Sequence, residues 1–99
     1  MSNAIEFASF KLKEGVSVSE FLLESDRFNS VFLSTQKGYI SRKLLRDCEM
    51  WADSVLWETM EDIHSAYKNA AEDPAACEYI SYMDEKSINI LFLPVERSY

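Results

Sequence analysis

The sequence is poor in the residues on which many site chemistries depend. It holds one histidine, two cysteines, two glycines and two prolines in 99 residues. A single imidazole rules out a histidine-rich metal centre. Cys48 and Cys77 do not stand in a Cys-Xaa-Xaa-Cys pair, which argues against a zinc knuckle or a thioredoxin-type redox motif. Glycine-rich loops that cradle phosphate are missing, and so is any Ser-His-Asp spacing. No metal and no cofactor are therefore expected. No run approaches about 18 apolar residues, so no membrane span is expected. The start of the chain lacks the charged region and apolar run of a signal peptide, and a cytoplasmic protein with reduced thiols is expected. Cations are scarce too. The formal net charge is −7, which argues against nucleic acid or an anionic membrane as partner, because both need basic surfaces.

What remains is a hydrophobic fraction of 47% with two Trp, five Tyr and six Phe. That is enough for one packed domain over residues 1–99. Residues 5–12 alternate in character and read as a first strand. Ser17 and Glu20 form a capping box, and a helix follows to about Leu33 with Val18, Phe21, Leu22, Phe28 and Phe32 mostly on one face. Residues 39–47 read as a second strand, 48–50 as a hairpin loop and 51–58 as a third strand. Thr59 caps a second helix whose apolar face is Met60, Ile63, Ala66, Tyr67, Ala70 and Ala71. Asp73-Pro74 opens a further helical segment carrying Cys77, Ile80 and Met83. Residues 84–86 read as a loop and 87–95 as a fourth strand.

The order strand, helix, strand, strand, helix, strand is the split βαβ pattern of ferredoxin-like α+β folds. It predicts an antiparallel four-stranded sheet with strands one and three central and helices on one face. The uncovered face should then be polar. Instead both sides of the strands are apolar: Ile5 and Phe7 oppose Ala8, Phe10 and Leu12, and Ile88, Ile90 and Phe92 oppose Leu91 and Leu93. Something must cover the second face, and a second copy in a homodimer is the simplest cover. Phe10 or Leu91 should lie on that interface.

The run Gly38-Tyr39-Ile40-Ser41-Arg42, followed by Trp51, Asp53, Val55, Trp57-Glu58-Thr59, Asp62 and Ala66, resembles the dimeric α+β barrel superfamily. Within it, the antibiotic-biosynthesis monooxygenase-like domains are most similar. The resemblance extends over about residues 4–95. It implies a dimer whose sheets face each other, and a ligand pocket between sheet and helices in each subunit. Members include cofactor-independent oxygenases, haem-degrading enzymes and isomerases, so the fold cannot select a chemistry. The haem-degrading branch would require Asn near Ala8, Trp near Ala66 and His near Ala76 or Cys77, and none of these matches. Many oxygenase-like members also carry a His near the Ala66 position, which this chain lacks.

Candidate catalytic residues are His64 and Asp53. His64 is the one imidazole, at the edge of the second helix's apolar stripe, and suits a general base. Asp53 is a carboxylate in mid-strand, where burial raises a carboxyl pKa. It is an acid-base candidate, or else the partner of Arg42, Lys43 or Arg46 on the neighbouring strand. Trp57, Tyr67, Tyr79 and Tyr82, with Trp51, are candidate walls of an aromatic pocket, or ordinary core. Ser9 and Ser41 are small polar strand residues expected to serve packing. Cys77 lies in the first turn of a helix, where amides favour a thiolate, but a buried, unreactive thiol is expected. Two functions stay open: a small-molecule-binding, cofactor-independent monooxygenase acting on an aromatic substrate, and a non-catalytic homodimer that binds a ligand or partner. An isomerase ranks below both.

Overall fold

The chain runs β1 (Ala4–Phe10), α1 (Val18–Val31), β2 (Tyr39–Asp47), β3 (Met50–Trp57), α2 (Met60–Ala70), α3 (Pro74–Ser81) and β4 (Asn89–Pro94), in a computed structural model that describes residues 2–99. Short 3-10 turns occupy Leu33–Thr35 and Glu85–Ser87. The sheet order is β2-β3-β1-β4, with every neighbouring pair antiparallel. Strands one and three are central, as the element order predicts.

Local chemistry sets the helix starts. Ser17 Oγ accepts from the Glu20 amide at 3.1 Å, and the Glu20 carboxylate receives the Ser17 amide in return. Thr59 Oγ1 accepts from the Asp62 amide at 3.0 Å. Asp73 Oδ1 accepts from the amides of Ala75 and Ala76, with Pro74 at the first helical position. Each cap satisfies amides that have no partner within the helix.

The strand ends differ from the sequence expectation by one or two residues except in β2, and three of the differences have a clear structural reason. β1 stops at Phe10 because the chain then pairs with the tail of α3. Lys13 N donates to Tyr82 O and Asp84 N to Lys11 O, both at 2.9 Å, and Leu12 bridges Met83. Ser87 folds into a turn whose hydroxyl accepts from Lys11 N, so β4 begins only at Asn89. Met50 joins β3 because Cys48, at φ 56, reverses the chain within two residues.

All three helices cover one face of the sheet. That face presents Ala4, Glu6, Ala8 and Phe10 from β1 and Trp51, Asp53, Val55 and Trp57 from β3. The core beneath the helices falls into two clusters. One gathers Phe32, Leu33, Val55, Trp57 and Ile63; the other gathers Phe10, Phe21, Trp51, Tyr79 and Met83. The opposite face carries Ile5, Phe7, Leu56, Leu45, Leu91 and Leu93. Leu45, Leu91 and Leu93 are 43%, 45% and 46% exposed. Phe10 is fully buried under the helices, so of the two residues named for the outer face only Leu91 lies there. No described helix is long and apolar enough to cross a membrane.

Gly38 links the sheet to α2. Its φ is +85°, and its carbonyl accepts from the Glu58 amide at 2.8 Å. A methyl group at Gly38 would collide with the Asp62 carboxylate in the first turn of α2. Gly15 has a similar φ of +88° but open space around it. Both Gly→Ala changes therefore carry a left-handed strain of about 1–2 kcal/mol, and Gly38→Ala adds the collision. Urea unfolding should show the larger loss at Gly38. Equal losses would mean that Asp62 moves aside freely.

Candidate functional site

A cavity of about 360 Å³ lies between the sheet and helices α2 and α3. Its origin is legible in side-chain size. Where the helices face the sheet they present Ala66, Ala70, Ala71 and Ala76, and the strand below offers Ala8. Methyl groups cannot fill a gap that Leu or Ile would close, since protein interiors otherwise pack to crystal-like density. Larger side chains form the rest of the wall: Phe10, Phe28, Phe32, Trp57, Tyr67, Tyr79, Ile80, Met83, Ile88 and Ile90. Tyr67 and Ile80, 52% and 43% exposed, mark the side on which the cavity reaches solvent.

One flank of the cavity is held by a buried polar network. Arg42 on β2 donates from Nε to Asp53 Oδ1 at 2.8 Å, from Nη2 to Tyr79 Oη at 2.9 Å and from Nη2 to Ser25 Oγ at 2.8 Å. Tyr79 in turn donates its hydroxyl proton to Asp53 Oδ2 at 2.7 Å. Burial alone would pull the guanidinium toward deprotonation, but the adjacent Asp53 carboxylate overrides this and raises its pKa. Burial and the Asp53 charge drive the Tyr79 hydroxyl upward, so it stays a neutral donor. The Tyr79 ring stacks on Phe28 at 4.2 Å between centroids, and the guanidinium sits over both rings. Asp53 thus touches the cavity with both oxygens already engaged.

Glu6 is the other carboxyl in the wall. Its Oε1 accepts from the Trp57 indole Nε1 at 3.3 Å. It forms no ion pair among the described residues. Desolvation pushes its pKa up from the ordinary 4.5 to about 6; the Trp57 hydrogen bond opposes this and the Asp53 charge adds to it. A carboxyl bound more tightly to its proton in the native state stabilises the fold fully below about pH 4.5. That contribution is lost as pH rises through about 6. At neutral pH an ionised Glu6 therefore lowers stability.

The structure brings Trp57, Tyr67, Tyr79 and Asp53 together around this cavity. Tyr82 is not in the wall; it packs half-buried against the Phe10 cluster. His64 is exposed on α2, its ring edge-on to Phe92 at 5.4 Å, and it too is outside the wall. Trp51 lines a separate, shallower groove with Asn29, Tyr39 and the outer side of Arg42. Ser9 points to the uncovered face of the sheet and Ser41 is exposed. Cys77 is corrected: it is exposed rather than buried, because the short α3 turns Ala75, Ala76 and Tyr79 inward instead. Glu6 was missed from sequence. The available signal was an acid between Ala4 and Ala8 on the strand face that also carries Phe10. Among the described residues no group of three His, Cys, Asp or Glu is placed to hold a metal.

No protein-family model and no curated protein matches the sequence. Solved structures do match the fold. A mutant form of SnoaB, a cofactor-independent oxygenase from Streptomyces nogalater, superposes with a TM-score of 0.78 at 14% identity, over 99% of this chain and 97% of that one. A candidate antibiotic biosynthesis monooxygenase from Bordetella bronchiseptica gives 0.72 at 15% identity, over 100% and 99%. A candidate monooxygenase from Shewanella loihica gives 0.68 at 14% identity, over 99% of both chains. At such identities the likeness carries the fold and not the chemistry. The chain shares the α+β fold of these solved structures, a four-stranded antiparallel sheet with helices on one face.

Proposed function

We propose that this chain binds a small planar, largely apolar molecule in the cavity beneath α2 and α3, and oxygenates it without a cofactor. The observation that carries the reading is the cavity itself: 360 Å³ falls within the roughly 300–1,000 Å³ of small-ligand sites, which combine apolar walls with few polar groups. In cofactor-independent oxygenation the substrate supplies the electrons. One oxygen atom of dioxygen enters the substrate carbon, and the other leaves as water with two substrate hydrogens. The protein has to hold an electron-rich ring, exclude water and accept a proton. Trp57, Tyr67 and Tyr79 supply walls, and the wall carries carboxyl groups. SnoaB, with the same fold, is an oxygenase of this class.

A second reading, a binder without catalysis, is favoured by one observation. Both oxygens of Asp53 are engaged by Arg42 and Tyr79, and His64 is outside the wall. Oxygen uptake separates the two. An electron-rich phenol consumed with dioxygen only in the presence of the protein supports the oxygenase; tight binding with no uptake supports the binder.

In either reading we propose that a second copy covers the open sheet face. Leu45, Leu91 and Leu93 with Ile5, Phe7 and Leu56 form an apolar surface that the helices leave bare. Sedimentation equilibrium at micromolar concentration should give twice the chain mass, and Leu91→Asp should give a monomer by burying an unpaired charge at the interface. A folded, monomeric wild type would contradict the dimer.

The cavity has its own check. Planar aromatic ligands should quench the Trp57 emission and raise the melting temperature by mass action. Ala66→Leu should fill part of the void, keep or raise stability by up to about 2 kcal/mol, and weaken those ligands at least about tenfold. Undiminished binding in Ala66→Leu would place the ligand elsewhere.

A further inference from the structure

We propose that Glu6 selects the ligand: its free carboxylate oxygen accepts a hydrogen bond from a donor, such as a phenolic hydroxyl, carried on a neutral planar ring, and its charge excludes aromatic carboxylates. The inference rests on the cavity being a ligand site and goes further by naming what that ligand must carry.

Hydrogen-bond capacity singles out this residue. Asp53 gives Oδ1 to Arg42 and Oδ2 to Tyr79. The Tyr79 hydroxyl both donates to Asp53 and accepts from Arg42. The Trp57 indole donates to Glu6 Oε1. Glu6 Oε2 accepts nothing among the described residues, so the wall keeps one carboxylate oxygen free for an incoming donor. Position agrees. Glu6 is in mid-β1, flanked on its face by Ala4 and Ala8, whose small methyl groups leave the carboxyl open to the void.

Charge singles it out as well. Arg42 cancels Asp53, while Glu6 has no counter-ion among the described residues. The fold does not need that charge, because a neutral Gln carbonyl would also accept from the Trp57 indole. A half-buried carboxylate that lowers neutral-pH stability and pairs with no cation among the described residues is placed for a partner from outside. The groups around it are few. Asp53 on β3 and Tyr79 on α3 share the wall, Arg42 on β2 lies behind Asp53, and Tyr67 on α2 stands at the mouth. β4 contributes no titratable side chain, and His64 sits outside against Phe92, the residue opposite Glu6 on β4.

The test compares β-naphthol, its methyl ether and β-naphthoate by calorimetry on the full chain and on Glu6→Gln, between about pH 5 and pH 8. On the wild type at neutral pH the naphthol should bind at least about tenfold tighter than the ether, since a hydrogen bond to a charged group is worth that much, and naphthoate should bind weakest. The preference should fade as pH drops through about 6. Glu6→Gln should bind naphthol and ether within about threefold of each other with no pH dependence, because a neutral acceptor is worth little net free energy. It should also melt above wild type at neutral pH and level with it below about pH 4.5. Naphthol and ether bound equally by the wild type would overturn the role of Glu6 and leave the ligand site standing, even if Glu6→Gln changed the melting temperature. Failure of all three probes to bind would overturn the ligand site and this inference together. The wild-type comparison decides the matter without the variant.

Discussion

The charge pair between Arg42 and Asp53 is the contact on which the helical layer depends. Its guanidinium reaches β3 through Asp53, α3 through Tyr79 and α1 through both the hydroxyl and the carbonyl of Ser25. Three elements are therefore tied to β2 by one side chain. Such a pair adds little stability relative to well-packed apolar residues, because desolvating both charges offsets their attraction. What it provides is position. Losing one partner would strand the other as a buried charge, which typically costs about 3–5 kcal/mol, so α3 has little freedom to slide toward the sheet. That rigidity keeps the space under the alanine faces open, where collapse would otherwise be favoured at roughly 24 cal/mol per Å³.

The same network assigns the roles of the polar groups in the cavity. Arg42 and Tyr79 engage both oxygens of Asp53, the carboxylate that stands out most in the sequence, while Glu6 keeps one oxygen without a partner among the described residues. A site with one uncompensated carboxylate in an apolar enclosure is selective by subtraction: few ligand groups are welcome there. On the proposed reading stability and function pull in opposite directions at Glu6, the pattern expected where a fold carries a group for binding rather than for packing.

The element order, the caps at Ser17, Thr59 and Asp73, and the two apolar faces of the strands were legible because each is written in local spacing. The pairing of Asp53 with a cation of the next strand was among the readings, since antiparallel neighbours face each other. The choice of Arg42 was not: the bulge between Tyr39 and Ser41 sets the faces of the strand and turns Lys43 away, while Arg46, on the same face as Arg42, is engaged by Cys48 O and the Trp51 ring. Tyr79 entered as a wall aromatic; its hydroxyl's place in the network follows from the docking of α3, which no spacing encodes. The strand ends at Phe10 and Asn89 follow from pairing between Lys11–Lys13 and the region after α3, more than sixty residues away. Ala66, Ala70 and Ala71 of α2 read as part of an apolar face, but their small size was the unread clue to a void; in α3 the reading took Cys77, Ile80 and Met83, whereas the helix turns Ala75, Ala76 and Tyr79 inward and leaves Cys77 and Ile80 exposed. Glu6 drew no reading because alternation alone does not say which face is covered.

In the proposed site Glu6 and Trp57 form the polar end of an open ligand cavity. Nitrogen-15 NMR of the two indole N–H groups tests it most directly, with Trp51→Phe to assign them. The Trp57 resonance should titrate with a midpoint near 6, and saturating β-naphthol should move that midpoint downward, because the ligand favours the ionised carboxyl. An indole resonance that does not move through this range, or that ignores the ligand, would contradict the account.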